Sequence, residues 1–245
     1  MLLLLDHENV APAKRNPAWL LLPWLTNLRS RGELSDASVL SVTTRIYGGW
    51  YSGVGVSPSR YDAATFYADT WPAILSLPSR QLVRSGIEFA DYLLNADQPV
   101  ILEGPKITNT FVVRSAPPRL GLTDRFKACS EQKCERKTLR KWLAKGNGCF
   151  LDQCPHSFGE CFVRKEQKQV DMHLAIDFIE ACLYANGIDH IALASDDTDF
   201  VPALLWALRR KRPNLLSLTI LRSIGQKSIY CESDLKRQGF EVVSY

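Results

Sequence analysis

The chain lacks any apolar run of the roughly 18 to 20 residues that a membrane-crossing helix needs. Its opening Met1-Leu2-Leu3-Leu4-Leu5 meets Asp6 and Glu8 at once, with neither the basic leader nor the longer apolar stretch of a signal peptide. Strong charge of either sign is also missing. Thirty Lys and Arg against 26 Asp and Glu leave a net charge of +4, which neither demands nor excludes a nucleic-acid partner. No internal repeat or low-complexity tract interrupts the sequence. Cysteines number seven, and an odd count without a secretory signal argues against a disulfide framework and for thiols or metal ligands. These absences lead us to expect a soluble, cytoplasmic protein with no membrane partner.

What is present is enough apolar material for one sizeable core: 245 residues, 46% of them hydrophobic. Residues 1–5 read as a strand buried on both faces. Residues 17–32 read as a helix ending at Gly32, with Pro23 kinking or beginning it. Residues 37–51 are β-branched and aromatic and read as a strand broken at Gly48 and Gly49. A mostly helical stretch is expected over 60–95, interrupted near Pro72 and Pro78, followed by two strands within 99–115. From Val170 the pattern is regular: helix 170–186, Gly187 as its stop, strand 189–195, helix 199–212, strand 214–221, a short helix, and a last strand in Phe240-Glu241-Val242-Val243-Ser244-Tyr245. Such alternation predicts an α/β fold with a central parallel sheet covered by helices on both faces. Residues 121–165 differ in kind, with five of the seven cysteines, many cations and few aliphatics. We therefore expect a main domain over 1–120 and 166–245, and a Cys-rich basic insertion over 121–165.

In open α/β sheets, ligands bind at the carboxyl ends of the parallel strands. Asp6 and Asn9 follow the first strand; Asp196, Asp197 and Asp199 follow the strand ending at Ala194. Asp171 opens the helix from Val170 and joins them if that helix starts at the same edge. Asp177 lies about 240° of helix rotation from Asp171, on a narrow polar stripe with His173 and Glu180 of a largely covered helix, and reads as a supporting or merely solvated acid. Each feature has an ordinary structural explanation. Ser195 with following acids fits a helix N-cap and first-turn charges, and Asp6 fits a turn. His7 reads as a hydrogen-bonding surface residue, and His173 and His190 have no evident partner.

Taken together, the motifs carry a resemblance. Leu2-Leu3-Leu4-Leu5-Asp6-His7-Glu8-Asn9 resembles the strand and D-x-x-N that open the NYN domain, a branch of the PIN-like nuclease superfamily. Lys168-Gln169-Val170-Asp171 is similar to its K-G-x-D helix start, and Ser195-Asp196-Asp197-Thr198-Asp199-Phe200 to its S-G-D-x-D-F signature. Arg45-Ile46-Tyr47-Gly48-Gly49-Trp50 is similar to the aromatic segment after its second strand. The resemblance implies a PIN-like sheet, dependence on Mg²⁺ or Mn²⁺, and nuclease action, usually on RNA. It implies Asp6, Asp171, Asp197 and Asp199 as metal ligands and catalytic acids, Asn9 as the amide supporting Asp6, and Lys168 as a substrate-binding lysine. Gln169 and Asp196 stand where the family commonly has glycine, and Gly49 where an acid is often found. The chemistry agrees independently: carboxylate and amide oxygens suit a hard divalent cation, which neutralises a phosphodiester and activates water. A catalytically inactive PIN-like RNA-binding or protein-interaction module is the alternative. A haloacid-dehalogenase-like phosphohydrolase is disfavoured by Glu8, where that class places a second Asp.

The insertion poses its own question. Cys129-x₄-Cys134 and Cys149-x₄-Cys154 form matched pairs with His156 and Cys161 nearby. Four thiolates in two pairs suit a structural Zn²⁺, although C-x₂-C is the commoner spacing, and free thiols are the alternative. Between the pairs, Lys137, Arg140 and Lys141 lie near Trp142, a combination suited to phosphate contact and base stacking, or to a solvated basic helix. Arg209 to Arg212 form a second basic cluster that also fits a helix C-terminus. Protein purified without chelator should carry about one zinc per chain, and metal analysis that finds none removes the staple.

Overall fold

The structure is a computed structural model that describes residues 1–34, 36–37, 39–94, 106–115, 163–197, 199–224 and 232–245. Met1–Thr110 with Gln167–Tyr245 make one compact unit, and Phe111–Glu166 a second. In chain order the strands are β1 (Leu2–Asp6), β2 (Val39–Tyr47), β3 (Tyr51–Ser52), β4 (Gly55–Val56), β5 (Ala73–Ser76), β6 (Leu82–Phe89), β7 (Phe111–Ser115), β8 (Val163–Gln167), β9 (His190–Ala194), β10 (Ser217–Arg222) and β11 (Glu241–Ser244). The helices are α1 (Pro17–Ser30), α2 (Pro58–Ala68), α3 (Val170–Leu183), α4 (Val201–Leu208) and α5 (Glu232–Arg237).

Seven strands form one sheet in the order β11-β10-β9-β1-β2-β6-β5. All neighbours are parallel except β5, which runs antiparallel to β6 at the edge. β1 is buried along its whole length, as a central strand covered on both faces must be. Its side chains alternate between two cores. Leu3 and Leu5 join Leu20, Leu21, Trp24 and Leu25 of α1 on one face, while Leu2 and Leu4 join Leu174 and Phe178 of α3 on the other. β3 with β4, and β7 with β8, form separate two-stranded sheets.

α1 starts where its sequence dictates. The Asn16 side chain accepts the Trp19 N–H at 3.0 Å, and Pro17 takes the first helical position, where a missing N–H does no harm. The helix runs through Pro23 instead of beginning there, because its buried stripe continues on both sides. Trp24 Nε1 then ties it to the sheet by donating to Thr219 Oγ1 at 3.1 Å.

The expected helix over 60–95 is corrected. Only Pro58–Ala68 is helical; β5 and β6 follow. In β6, Leu82, Val83, Arg84 and Ser85 alternate exposed and buried, a period of two that specifies a strand. β6 pairs with β2 from Val39↔Leu82 to Ile46↔Phe89, and Pro72 and Pro78 bracket the short edge strand. Of the two strands expected within 99–115, Phe111–Ser115 is β7, and residues 106–110 are not strand. The remainder, with the cysteine pairs and the basic cluster, lies outside the described residues. No helix among the described residues is long and apolar enough to cross a membrane.

Asp177 is a further correction: it is fully buried, not solvated. Its Oδ2 accepts from Arg45 Nε at 2.9 Å and Tyr47 Oη at 2.7 Å, and its Oδ1 from the Leu94 N–H at 2.7 Å. His173, also buried, places Nε2 3.3 Å from Asp177 Oδ2 and 2.8 Å from the Tyr92 carbonyl. Arg45 reaches further, to Glu88 Oε1 at 2.7 Å and the Tyr92 carbonyl. This network rivets α3 to β2, β6 and the segment after β6. His190 also has a partner, with Nδ1 2.8 Å from Ser217 Oγ.

Burial alone would push the Asp177 carboxyl up; hydrogen bonding from His173, the charges of Arg45 and His173, and the Leu94 amide overcome it and hold it below the usual range. A lowered folded pKa contributes stability that is complete above the ordinary value of 3.8 and lost as pH falls through the folded value. Asp177→Asn, which strands the Arg45 charge, is expected to cost about 3 kcal/mol or more at pH 7. The variant should also lose part of the acid destabilisation below pH ~4. Urea melts from pH 7 to pH 3 check both, and a wild-type-like midpoint would contradict them.

Candidate active site

β1 is the point where the chain changes direction across the sheet: β2 lies on one side of it and β9 on the other. Parallel sheets open a crevice at the carboxyl end of such a strand, and Asp6 is the last residue of β1. The register pairs Leu5 with Ala194, so Asp6 and Ser195 emerge side by side. Ser195 Oγ donates to Asp6 Oδ2 at 2.8 Å, and Asn9 Nδ2 donates to the same oxygen at 2.9 Å. The Asn9 N–H reaches Oδ1 at 3.4 Å. The Asp197 N–H donates to Ser195 Oγ at 3.1 Å, and the Asp199 N–H to Asp197 Oδ1 at 2.9 Å. One hydrogen-bonded chain thus runs from Asn9 through Asp6, Ser195 and Asp197 to the backbone of Asp199. Ser195 reads from sequence as a helix cap; its side chain is instead the link between the two strand ends.

Electrostatics locates the fourth acid. Burial pushes the Asp6 carboxyl up against hydrogen bonds from Asn9 and Ser195 that lower it, and the charge of Asp171 raises it further. Asp171 is raised by burial and then by Asp197 and Asp199. The charges of Asp6, Asp197 and Asp199 are thus felt at Asp171. The donor set consists of oxygens, which suits a hard divalent cation. Among the described residues no three His, Cys, Asp or Glu side chains form a ready-made metal cage.

Asp171 owes its position to an unusual start of α3. Gln169, the N-cap, has φ +64°, and its carbonyl accepts the His173 N–H at 2.8 Å. The left-handed backbone is steric strain for glutamine and free of it for glycine, which explains a glycine at this position in the resemblance. Lys168, half-buried, is one residue earlier, and its N–H donates to the Thr110 carbonyl at 2.9 Å. Asp196, the acid without an evident role, has a structural one: its Oδ1 accepts the Ser223 N–H at 2.9 Å and joins the loop after β9 to the end of β10.

His7 corrects the expectation of a surface residue. It is buried, with Nδ1 3.1 Å from Tyr67 Oη and Nε2 3.0 Å from Arg15 Nη1. Burial, with the Arg15 charge, lowers its pKa to about 3, so it is neutral at physiological pH and holds Arg15 as an acceptor. Its ring lies 5.5 Å from that of Trp50, and a Cβ on Gly48 would stand 2.5 Å from the Trp50 ring. The Gly48-Gly49-Trp50 turn therefore packs against His7, the residue after Asp6. Arg15 was not singled out by sequence reading. The second basic cluster is structural in part: Arg212 Nη1 donates to the Ala181 carbonyl at 2.7 Å, and Lys211 Nζ to the Leu215 carbonyl at 2.7 Å.

Replacing Gln169 by glycine removes the left-handed strain but adds chain entropy to the unfolded state. The net is an expected gain of up to about 1 kcal/mol, read as a melting temperature raised by about 2–4 °C. A lowered melting temperature would show that the glutamine side chain stabilises this turn.

No curated protein and no solved structure matches the chain. The family model of the NYN domain matches residues 121–223, a span that holds Asp171, Asp197 and Asp199 and begins after Asp6 and Asn9. The matched family is one of PIN-like nucleases, and the match covers less than half of the chain.

Proposed function

We propose that the protein is a metal-dependent nuclease that hydrolyses phosphodiester bonds in RNA, single-stranded or structured, in the cytoplasm. The observation that supports this reading is Asp6 at the carboxyl end of β1, linked through Ser195 to Asp197, with Asp171 raised by burial and then by repulsion from Asp197 and Asp199. Such repulsion is relieved by a cation. Asp6, Asp171, Asp197 and Asp199 would hold Mg²⁺ or Mn²⁺, and the bound ion would neutralise the phosphate and lower the pKa of water. Asn9 and Ser195 fix the Asp6 carboxylate in one orientation. Asp197 is tied to Asp6 through Ser195, so the first and last acids are placed by one hydrogen-bonded chain. Lys168 supplies positive charge next to Asp171. In the same reading, Cys129, Cys134, Cys149 and Cys154 hold a structural Zn²⁺, and Lys137, Arg140 and Lys141 contact substrate phosphates.

Wild type and Asp197→Asn, incubated with labelled single-stranded RNA, single-stranded DNA and duplexes in Mg²⁺, Mn²⁺ or EDTA, test this directly. Wild type should cut RNA only with metal, and the substitution should lower the rate on the order of 1,000-fold without loss of fold. RNA binding without cleavage, unaffected by the substitution, would assign the chain to a non-catalytic RNA-binding role instead.

A further inference from the structure

Next to the acidic cluster, the loop after β1 and the first turn of α1 present a surface that the carboxylates do not use. Trp19 is 49% exposed, although Leu20, Leu21, Trp24, Leu25 and Leu28 of α1 are sealed in the core. Its backbone is pinned by the Asn16 cap, so the ring stands on a rigid turn. Lys14 Nζ lies 4.2 Å from the Trp19 ring centroid and 6.0 Å from that of Tyr245. Tyr245 is buried, and its hydroxyl is close enough to Asp6 and Arg15 to feel their charges. Lys14 thus stands between the exposed Trp19 ring and the buried Tyr245 ring.

A cation and an exposed, rigidly mounted aromatic are the two elements that a nucleic-acid strand needs from a protein. The ammonium meets a phosphate, and the ring receives a base. Bases in a duplex are stacked on each other and unavailable to such a ring; bases of a single strand are free to leave their neighbours. Arg15, fixed by the Val10 carbonyl at 2.6 Å and by His7, sets a second cation next to Lys14 in the chain.

We infer that Trp19 and Lys14 form a base-stacking and phosphate-binding subsite that selects single-stranded nucleic acid; the inference rests on the reading of the acidic cluster as a phosphodiester site. The subsite lies on residues 14–19, before the span that matches the family model.

Fluorescence anisotropy with a short labelled RNA strand and its duplex, in EDTA so that nothing is cut, tests the subsite on the full chain. Trp19→Ala should weaken single-strand binding about 5- to 100-fold, the worth of one stacked base. Trp19→Phe should retain most of the affinity, and the duplex should be little affected by either change. Lys14→Ala should reduce the slope of log affinity against log salt by about one. Thermal melting checks that the variants are folded. Wild-type affinity in Trp19→Ala, an equal loss for duplex and single strand, or no binding by wild type would each overturn the subsite. The cleavage assay separates the two readings. Metal-dependent cleavage with no effect of Trp19→Ala on binding removes the subsite and leaves the nuclease; Trp19-dependent binding without cleavage removes the nuclease and leaves the subsite.

Discussion

Parallel pairing of β1 with a strand on each side is the constraint on which the rest depends. Because β2 and β9 both run parallel to β1, their carboxyl ends come out at one edge, and chain segments almost 190 residues apart meet there. The distance from Asp6 to Ser195 in sequence is 189 residues, yet the register leaves one hydrogen bond between them. The alternating side chains of β1 give each face its own core, so α1 and α3 press from opposite sides. A slip of one residue in β1 would exchange the two faces and turn Asp6 away from Ser195.

Two buried carboxylates illustrate opposite uses of charge. Asp177 is surrounded by donors and cations, and its ionised form is favoured. It stabilises the junction of α3 with the sheet. Asp6 is equally buried, but its hydrogen bonds come from neutral donors and Asp171 adds repulsion, so burial wins and its ionised form is disfavoured. The fold tolerates that cost because the hydrogen bonds from Asn9 and Ser195 offset part of it. A group held charged against its surroundings is poised to accept a cation, whereas a satisfied ion pair is not. The contrast explains why two aspartates with similar burial belong to different roles, one in architecture and one in the proposed chemistry.

His7 follows the same logic. Placed next to Asp6 it invites an acid-base role, but burial and Arg15 keep it neutral. Its two ring nitrogens are taken up by Tyr67 and Arg15. It acts as a spacer that fixes a cation at the rim of the cluster, with Trp50 as the floor beneath it.

The strands β1, β2, β9, β10 and β11 and the helices α1 and α3 were legible in sequence because period, caps and breakers are local signals. So were Asp6, Asn9, Asp171, Asp197 and Asp199 as polar residues at strand and helix ends. Local signals failed where a segment's state depends on a distant partner. Residues 82–89 become strand because β2 offers them an edge, residues 73–76 because β6 then offers the next one, and an Ala-containing helix just before gives no warning. Asp177 and His173 look solvated on a helical wheel, since the wheel does not contain Arg45. Ser195 looks like a cap until Asp6 stands beside it. The sequence by itself determined which residues end the central strands and which acids they carry. Only the tertiary structure decided which of those acids are paired and which repel, because the energy of a buried charge is set by neighbours brought together by the fold and not by neighbours in the chain.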